Sequence, residues 1–96
     1  MDLKTLFSID HHFLIGERIL QAYILITTQP GKPWKVADAT LKIEGVKMAH
    51  AVSGPFDVVA YVEFVKMESL GALIEKVHFI DGVLGTQTAI VMPPRL

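Results

Sequence analysis

Any chemistry in this chain would have to come from its four histidines, its three serines and one well-placed carboxylate. His11-His12 is an adjacent pair, and sequence neighbours point to different sides of a helix or strand, so a solvated arm is a simpler reading than a chelating site. His50 has Val46, Met48 and Val52 at alternate positions, which suits a hydrogen-bonded interior or interface imidazole better than a general base. His78 falls at the end of a helical pattern, where a positive charge suits the helix dipole. Ser8, Ser53 and Ser69 lack a His and an Asp at a spacing that suggests a triad, and neither a P-loop nor a dinucleotide fingerprint is present. Asp57 stands apart because it opens an apolar stretch just after Gly54-Pro55. It reads either as an Asx-type cap of that turn or as a polar anchor for a small ligand at the sheet edge. The absence of cysteine removes thiol catalysis, disulfides and Cys-based zinc sites. The expectation is therefore no catalytic residue, no metal and no cofactor.

Composition narrows the class further. The chain has 96 residues, 51% hydrophobic and 20% charged, with a formal net charge of -1. That length suits one domain, and the apolar content argues against disorder. Nine basic residues are balanced by ten acidic ones without a basic cluster, so direct nucleic-acid binding is not expected. The longest uncharged runs, Ile19–Gly31 and Gly82–Pro94, fall short of the roughly 18 residues of a membrane span. Asp2 and Asp10 interrupt the start of the chain, which does not read as a secretory signal. A cytoplasmic protein away from membranes is expected.

The elements that must position these residues follow from periodicity. Residues 1–19 read as an N-terminal arm or short helix on the spacing of Leu3, Leu6 and Phe7, residues 20–92 as the domain, and 93–96 as a tail. Gln21–Thr28 is a strand, Gln29–Pro33 a turn, and Trp34–Ile43 a helix with Val36, Ala37, Thr40 and Leu41 on one face. Val46–Ser53 and Asp57–Val65 are strands joined by a tight Gly54-Pro55 turn. Glu68–Phe79 is a helix with its stripe at Leu70, Leu73, Ile74 and Val77; Gly71 inside it calls either for small size there or for a later start. Gly85–Met92 is the last strand. Ile43-Glu44-Gly45-Val46 recurs as Ile80-Asp81-Gly82-Val83, each between a helix and a strand. Two strand-helix-strand units with right-handed crossovers interleave into a ferredoxin-like βαββαβ fold of the α+β class, with a four-stranded antiparallel sheet.

Two helices cover one sheet face only, yet both central strands are apolar on both sides. Tyr23, Leu25 and Thr27 alternate with Ala22, Ile24 and Ile26, and Val59, Tyr61, Glu63 and Val65 alternate with Val58, Ala60, Val62 and Phe64. Both strands are expected to be buried on both faces. A homodimer packed sheet on sheet through Tyr23, Leu25, Val59 and Tyr61 would hide the second face, as would a bound apolar ligand.

The stretch Leu20–Met92 resembles the ligand-binding (RAM) domain of the Lrp/AsnC family. The resemblance is carried by Ala22-Tyr23-Ile24-Leu25-Ile26, Ile43-Glu44-Gly45-Val46, Ser53-Gly54-Pro55-Phe56-Asp57, Ile80-Asp81-Gly82-Val83 and Thr86-Gln87-Thr88, in that order. It implies dimers that pair their sheets into an α/β barrel and often assemble into octameric rings. It also implies an amino-acid effector site between dimers, carried over here to Gly54, Phe56, Asp57, Thr86 and Thr88. Pro55 departs from the family turn and removes one N–H donor. The roughly 20 residues before the domain are too few for a three-helix DNA reader. A stand-alone domain is thus expected, acting as an accessory in transcriptional or metabolic regulation, with a full-length Lrp/AsnC regulator as a partner by mixed assembly. Two rivals share the fold. One is a cofactor-independent monooxygenase or isomerase with His50 or Tyr61 in a pocket between sheet and helices. The other is an ACT-like regulatory module whose ligand turn is Gln29–Pro33.

Overall fold

A computed structural model describes residues 18–92. Six elements follow one another: β1 (Leu20–Thr28), α1 (Pro33–Leu41), β2 (Val46–Ala51), β3 (Val58–Phe64), α2 (Met67–His78) and β4 (Val83–Ile90). The strands form one antiparallel sheet in the order β2-β3-β1-β4. This is the ferredoxin-like arrangement that the two interleaved units require. The expected arm and tail lie outside the described residues, except for Arg18 and Ile19, which are exposed coil.

Alternation fixes which side chains reach the core. Ala22, Ile24 and Ile26 of β1 and Val58, Ala60 and Val62 of β3 are fully buried beneath the helices. Val36 and Ala37 of α1 and Leu70, Leu73 and Val77 of α2 close the core from above. Thr40, also fully buried, returns its hydroxyl to the Val36 carbonyl at 2.7 Å. Leu41 does not join that face. As the last residue of a nine-residue helix it clears the sheet and stays 48% exposed.

The repeated Ile-acidic-Gly-Val turns have matching geometry. Gly45 and Gly82 adopt φ of 96° and 99°. The Val46 and Val83 amides donate back to the Ile43 and Ile80 carbonyls at 3.1 and 3.2 Å. Each glycine also packs against the helix of the other unit. A Cβ on Gly45 would stand 3.0 Å from Leu73 Cδ1 and 3.2 Å from the Glu63 carbonyl oxygen, and one on Gly82 would stand 3.1 Å from Lys32 and 3.4 Å from Val36. The repeat is thus the pair of hinges that lock the two units together. Gly45→Ala combines left-handed strain with a backbone clash, for an expected loss of about 2–3 kcal/mol and a fall of about 10 °C or more in melting temperature. Gly71 is the opposite case. The helix around it starts at Met67, and nothing lies within 4 Å of an added Cβ. Neither small size nor a late start accounts for it, and Gly71→Ala is expected to stabilise by about 1 kcal/mol in the same melting experiment.

Candidate functional site

All the connections that carry candidate site residues converge on one end of the sheet. There β1 and β2 finish, β3 and β4 begin, α1 starts and α2 ends. The β2–β3 connection is wider than the tight turn expected. The β2 ladder stops at Ala51, and residues Val52–Asp57 form a six-residue link closed by the Val52 amide donating to the Asp57 carbonyl at 2.9 Å. Gly54 lies at its exposed tip, and Phe56 and Asp57 are half-buried at its return.

Asp57 bonds β1 through its carboxylate, not the Gly54-Pro55 turn that an Asx-type cap would hold. Its amide donates to the Ile26 carbonyl at 2.9 Å, and its Oδ2 accepts from the Thr28 amide at 2.8 Å. The carboxylate therefore stands in for one more backbone carbonyl in the β1–β3 ladder and fixes the root of the Gln29–Pro33 turn. Thr28 Oγ1 reinforces that root by donating to the Gln29 carbonyl at 3.1 Å. Only Oδ2 is engaged by these contacts, which leaves Oδ1 for a cationic group.

Thr86 and Thr88 lie on β4, opposite Ile26 and Ile24. They share the helix side of the sheet. Thr86 Oγ1 is 2.8 Å from His78 Nε2, the last residue of α2. Val58, Ile26 and Thr86 form one row across three strands, so Asp57 and Thr86 are separated by two strand spacings, about 10 Å. The chain places Gly54, Phe56, Asp57 and Thr86 at the same end of the sheet, with Asp57 and Thr86 on either side of β1.

The face away from the helices holds Tyr23, Leu25, Val59 and Tyr61, and Met48 and His50 of β2 extend it. In the single chain this face is half-exposed, with Tyr23 at 41%, so the expected double burial is not met by one copy alone. The Tyr23 and Tyr61 rings meet at 5.4 Å between centroids, inclined by 54°. Gln21 Nε2 donates to Tyr61 Oη, which donates to Glu63 Oε2 at 3.0 Å. Desolvation and the Glu63 carboxylate raise the Tyr61 pKa above the ordinary phenol value, so the hydroxyl stays protonated at neutral pH. A register shift between Val46 and Met48 turns Val46 into the core while His50 points outward, exposed and opposite Val59. His50 therefore does not share a face with Val46. Neither His50 nor Tyr61 faces the space between sheet and helices that the enzyme alternative requires.

The sequence reading missed a cavity of about 390 Å³ at the opposite end, lined by Gly45, Phe64, Ser69 and Leu73 with Glu44 and Lys76 among its polar residues. Glu44 precedes β2 and Lys76 lies on α2, and no local pattern places the two on one lining. Among the described residues, no group of three His, Asp or Glu residues is placed to hold a metal ion, and no helix is long and apolar enough to cross a membrane.

Comparison with known proteins places this geometry. Residues 21–94 match the family model described as Lrp/AsnC ligand binding domain. The HTH-type transcriptional regulator LysM of Sulfurisphaera tokodaii is 26% identical over 87 residues, covering 90% of this chain and 60% of LysM. A hypothetical protein from Pyrococcus horikoshii, PHS023, superposes with a TM-score of 0.70 at 30% identity, over 78% of this chain and 92% of that one. A feast or famine regulatory protein from M. tuberculosis, Rv3291c, solved with L-methionine, has the same fold, with a TM-score of 0.67 at 24% identity over 78% of this chain and 51% of that one. The chain spans 47% to 60% of the length of the curated relatives it matches.

Proposed function

The chain belongs to the Lrp/AsnC ligand-binding domain family, and from that premise we propose that it is a non-enzymatic, cytoplasmic, homo-oligomeric sensor of an amino acid or similar small effector. The observation that carries the reading is the division of the site between two strands. An α-amino acid carries its ammonium and its carboxylate on the same carbon, whereas Asp57 and Thr86 of one protomer are about 10 Å apart. Asp57 Oδ1 suits the ammonium, and the Thr86 and Thr88 hydroxyls with backbone amides near Gly54 suit a carboxylate. Both ends of one ligand are served when a second copy brings its own set alongside, which puts the ligand at an interface between copies. Ligand then acts by its differential affinity for assembly states.

The open sheet face supports pairing through Tyr23, Leu25, Val59 and Tyr61 into a dimeric α/β barrel, with octamers as the next level of assembly. That L-methionine accompanies a structural neighbour supports an amino acid as the ligand class. The same pairing face would admit a full-length Lrp/AsnC regulator as a mixed partner. In a thermal-shift and light-scattering screen of the twenty amino acids at millimolar concentration, at least one is expected to raise the melting temperature or change the particle mass. If none moves either quantity, the sensor reading fails.

A further inference from the structure

The repeated turn meets a helix of the other unit twice, and the two junctions are not filled alike. Gly82 packs on Lys32 and Val36 of α1, and Gly45 packs on Leu73 of α2. Aligning Ile80-Asp81-Gly82-Val83 with Ile43-Glu44-Gly45-Val46 sets Val36 against Leu73, Lys32 against Ser69 and Lys35 against Ala72. At the Gly82 junction both lysines reach the acidic residue of the turn, their Nζ atoms standing 3.7 and 3.8 Å from Asp81 Oδ2. At the Gly45 junction Ser69 and Ala72 are too short to do the same, and among the described residues Glu44 has no cationic partner. The cavity of about 390 Å³ lined by Glu44, Ser69 and Ala72 lies where those two lysine side chains would run. We propose that this cavity binds a small molecule carrying a primary alkylammonium group, whose charge meets Glu44 and whose chain takes the course of the missing lysines.

The lining suits that class. An ammonium brings donors and no acceptor. The Glu44 carboxylate and the Ser69 hydroxyl supply acceptors, while Phe64, Ala72 and Leu73 supply an apolar wall for a chain of a few methylenes. Glu63 lines the same cavity, with its Oε2 engaged by the Tyr61 hydroxyl. Two carboxylates against the single ammonium of Lys76 leave the lining net negative. Lys76 stands about one helical turn beyond Ala72, at the position that Ala39 holds in α1, so it is the counterpart of neither pairing lysine. Glu44 is exposed, so the contact stays hydrated and the affinity modest, with half-saturation on the order of 10 mM. The cavity stands at the other end of the sheet from Asp57 and Thr86, and its occupation does not depend on the effector reading of those residues.

The test uses the full chain and n-butylammonium, the free form of a lysine side chain, which stays protonated at neutral pH. Backbone amide signals of Gly45, Ser69 and Ala72 are followed by NMR as n-butylammonium chloride is added, against sodium chloride at equal ionic strength and against n-butanol. Saturable shifts are expected with the amine alone. Glu44→Gln is expected to weaken binding roughly fivefold, and Ala72→Lys, which supplies the absent lysine, to abolish it. Both positions are exposed, so neither substitution disturbs the core. Unmoved signals in the wild type overturn the proposal, as do shifts that n-butanol reproduces, that are undiminished in Glu44→Gln or that persist in Ala72→Lys. Saturation that appears only in Lys76→Met also overturns it, because Lys76 would then fill the cavity itself. The sensor reading stands or falls separately, on the amino-acid screen of melting temperature and particle mass.

Discussion

Leu25→Asp is expected to convert the native assembly into folded monomers. Leu25 lies on the open face of β1, opposite Val59 on β3 and Gln87 on β4. In a single chain the new carboxylate would sit on a half-exposed surface, away from the core, and would cost little. In a pair of facing sheets it would have to shed its water against Val59 and the tyrosines, at a cost of several kcal/mol. A stable interface hides about 800 Å² per partner, so one such charge at its centre removes much of what holds it. Sedimentation should show the monomer and far-ultraviolet circular dichroism should be unchanged. A variant that kept the wild-type mass would show that the open face is not where copies meet.

Asp57 offers the second large effect, because its structural and ligand roles respond to different substitutions. Asp57→Ala leaves the part-buried Thr28 amide without its acceptor, an expected loss of about 1–3 kcal/mol. Asp57→Asn keeps a side-chain oxygen for that amide and should melt within a few degrees of the wild type. It removes the charge that would meet an ammonium, so amino-acid affinity should fall at least about tenfold. Chemical denaturation and calorimetry on both variants check the two halves. Wild-type affinity in Asp57→Asn would move the ammonium elsewhere. The comparison also bears on the ACT-like alternative. Asp57 holds the root of the Gln29–Pro33 turn, so only a substitution that preserves the Thr28 contact can tell the two turns apart.

The legible and illegible parts of this fold divide by range. The helix stripes at Leu70, Leu73 and Val77, the strand alternation of β1 and β3, and the repeated Ile-acidic-Gly-Val turns depend on neighbours within a few residues, and each is where periodicity put it. What escaped depends on register. One extra residue between Val46 and Met48 reverses the sense of β2 and sends His50 outward, and periodicity carries no sign of it. The Asp57 bond to Thr28 spans 29 residues and exists only because β1 and β3 pair as they do. The His78 contact with Thr86 requires α2 to end over β4, which neither segment specifies alone. The apolar excess on the second sheet face was visible at once, and a single chain leaves that face half-exposed.

The most direct test of the central claim is therefore the mass of the native protein by light scattering, with and without amino acids. A dimer or a multiple of it is expected, at least twice the 10.6 kDa of the chain, with at least one amino acid shifting the distribution. A particle of 10.6 kDa under every condition would contradict both the paired sheets and the shared ligand site.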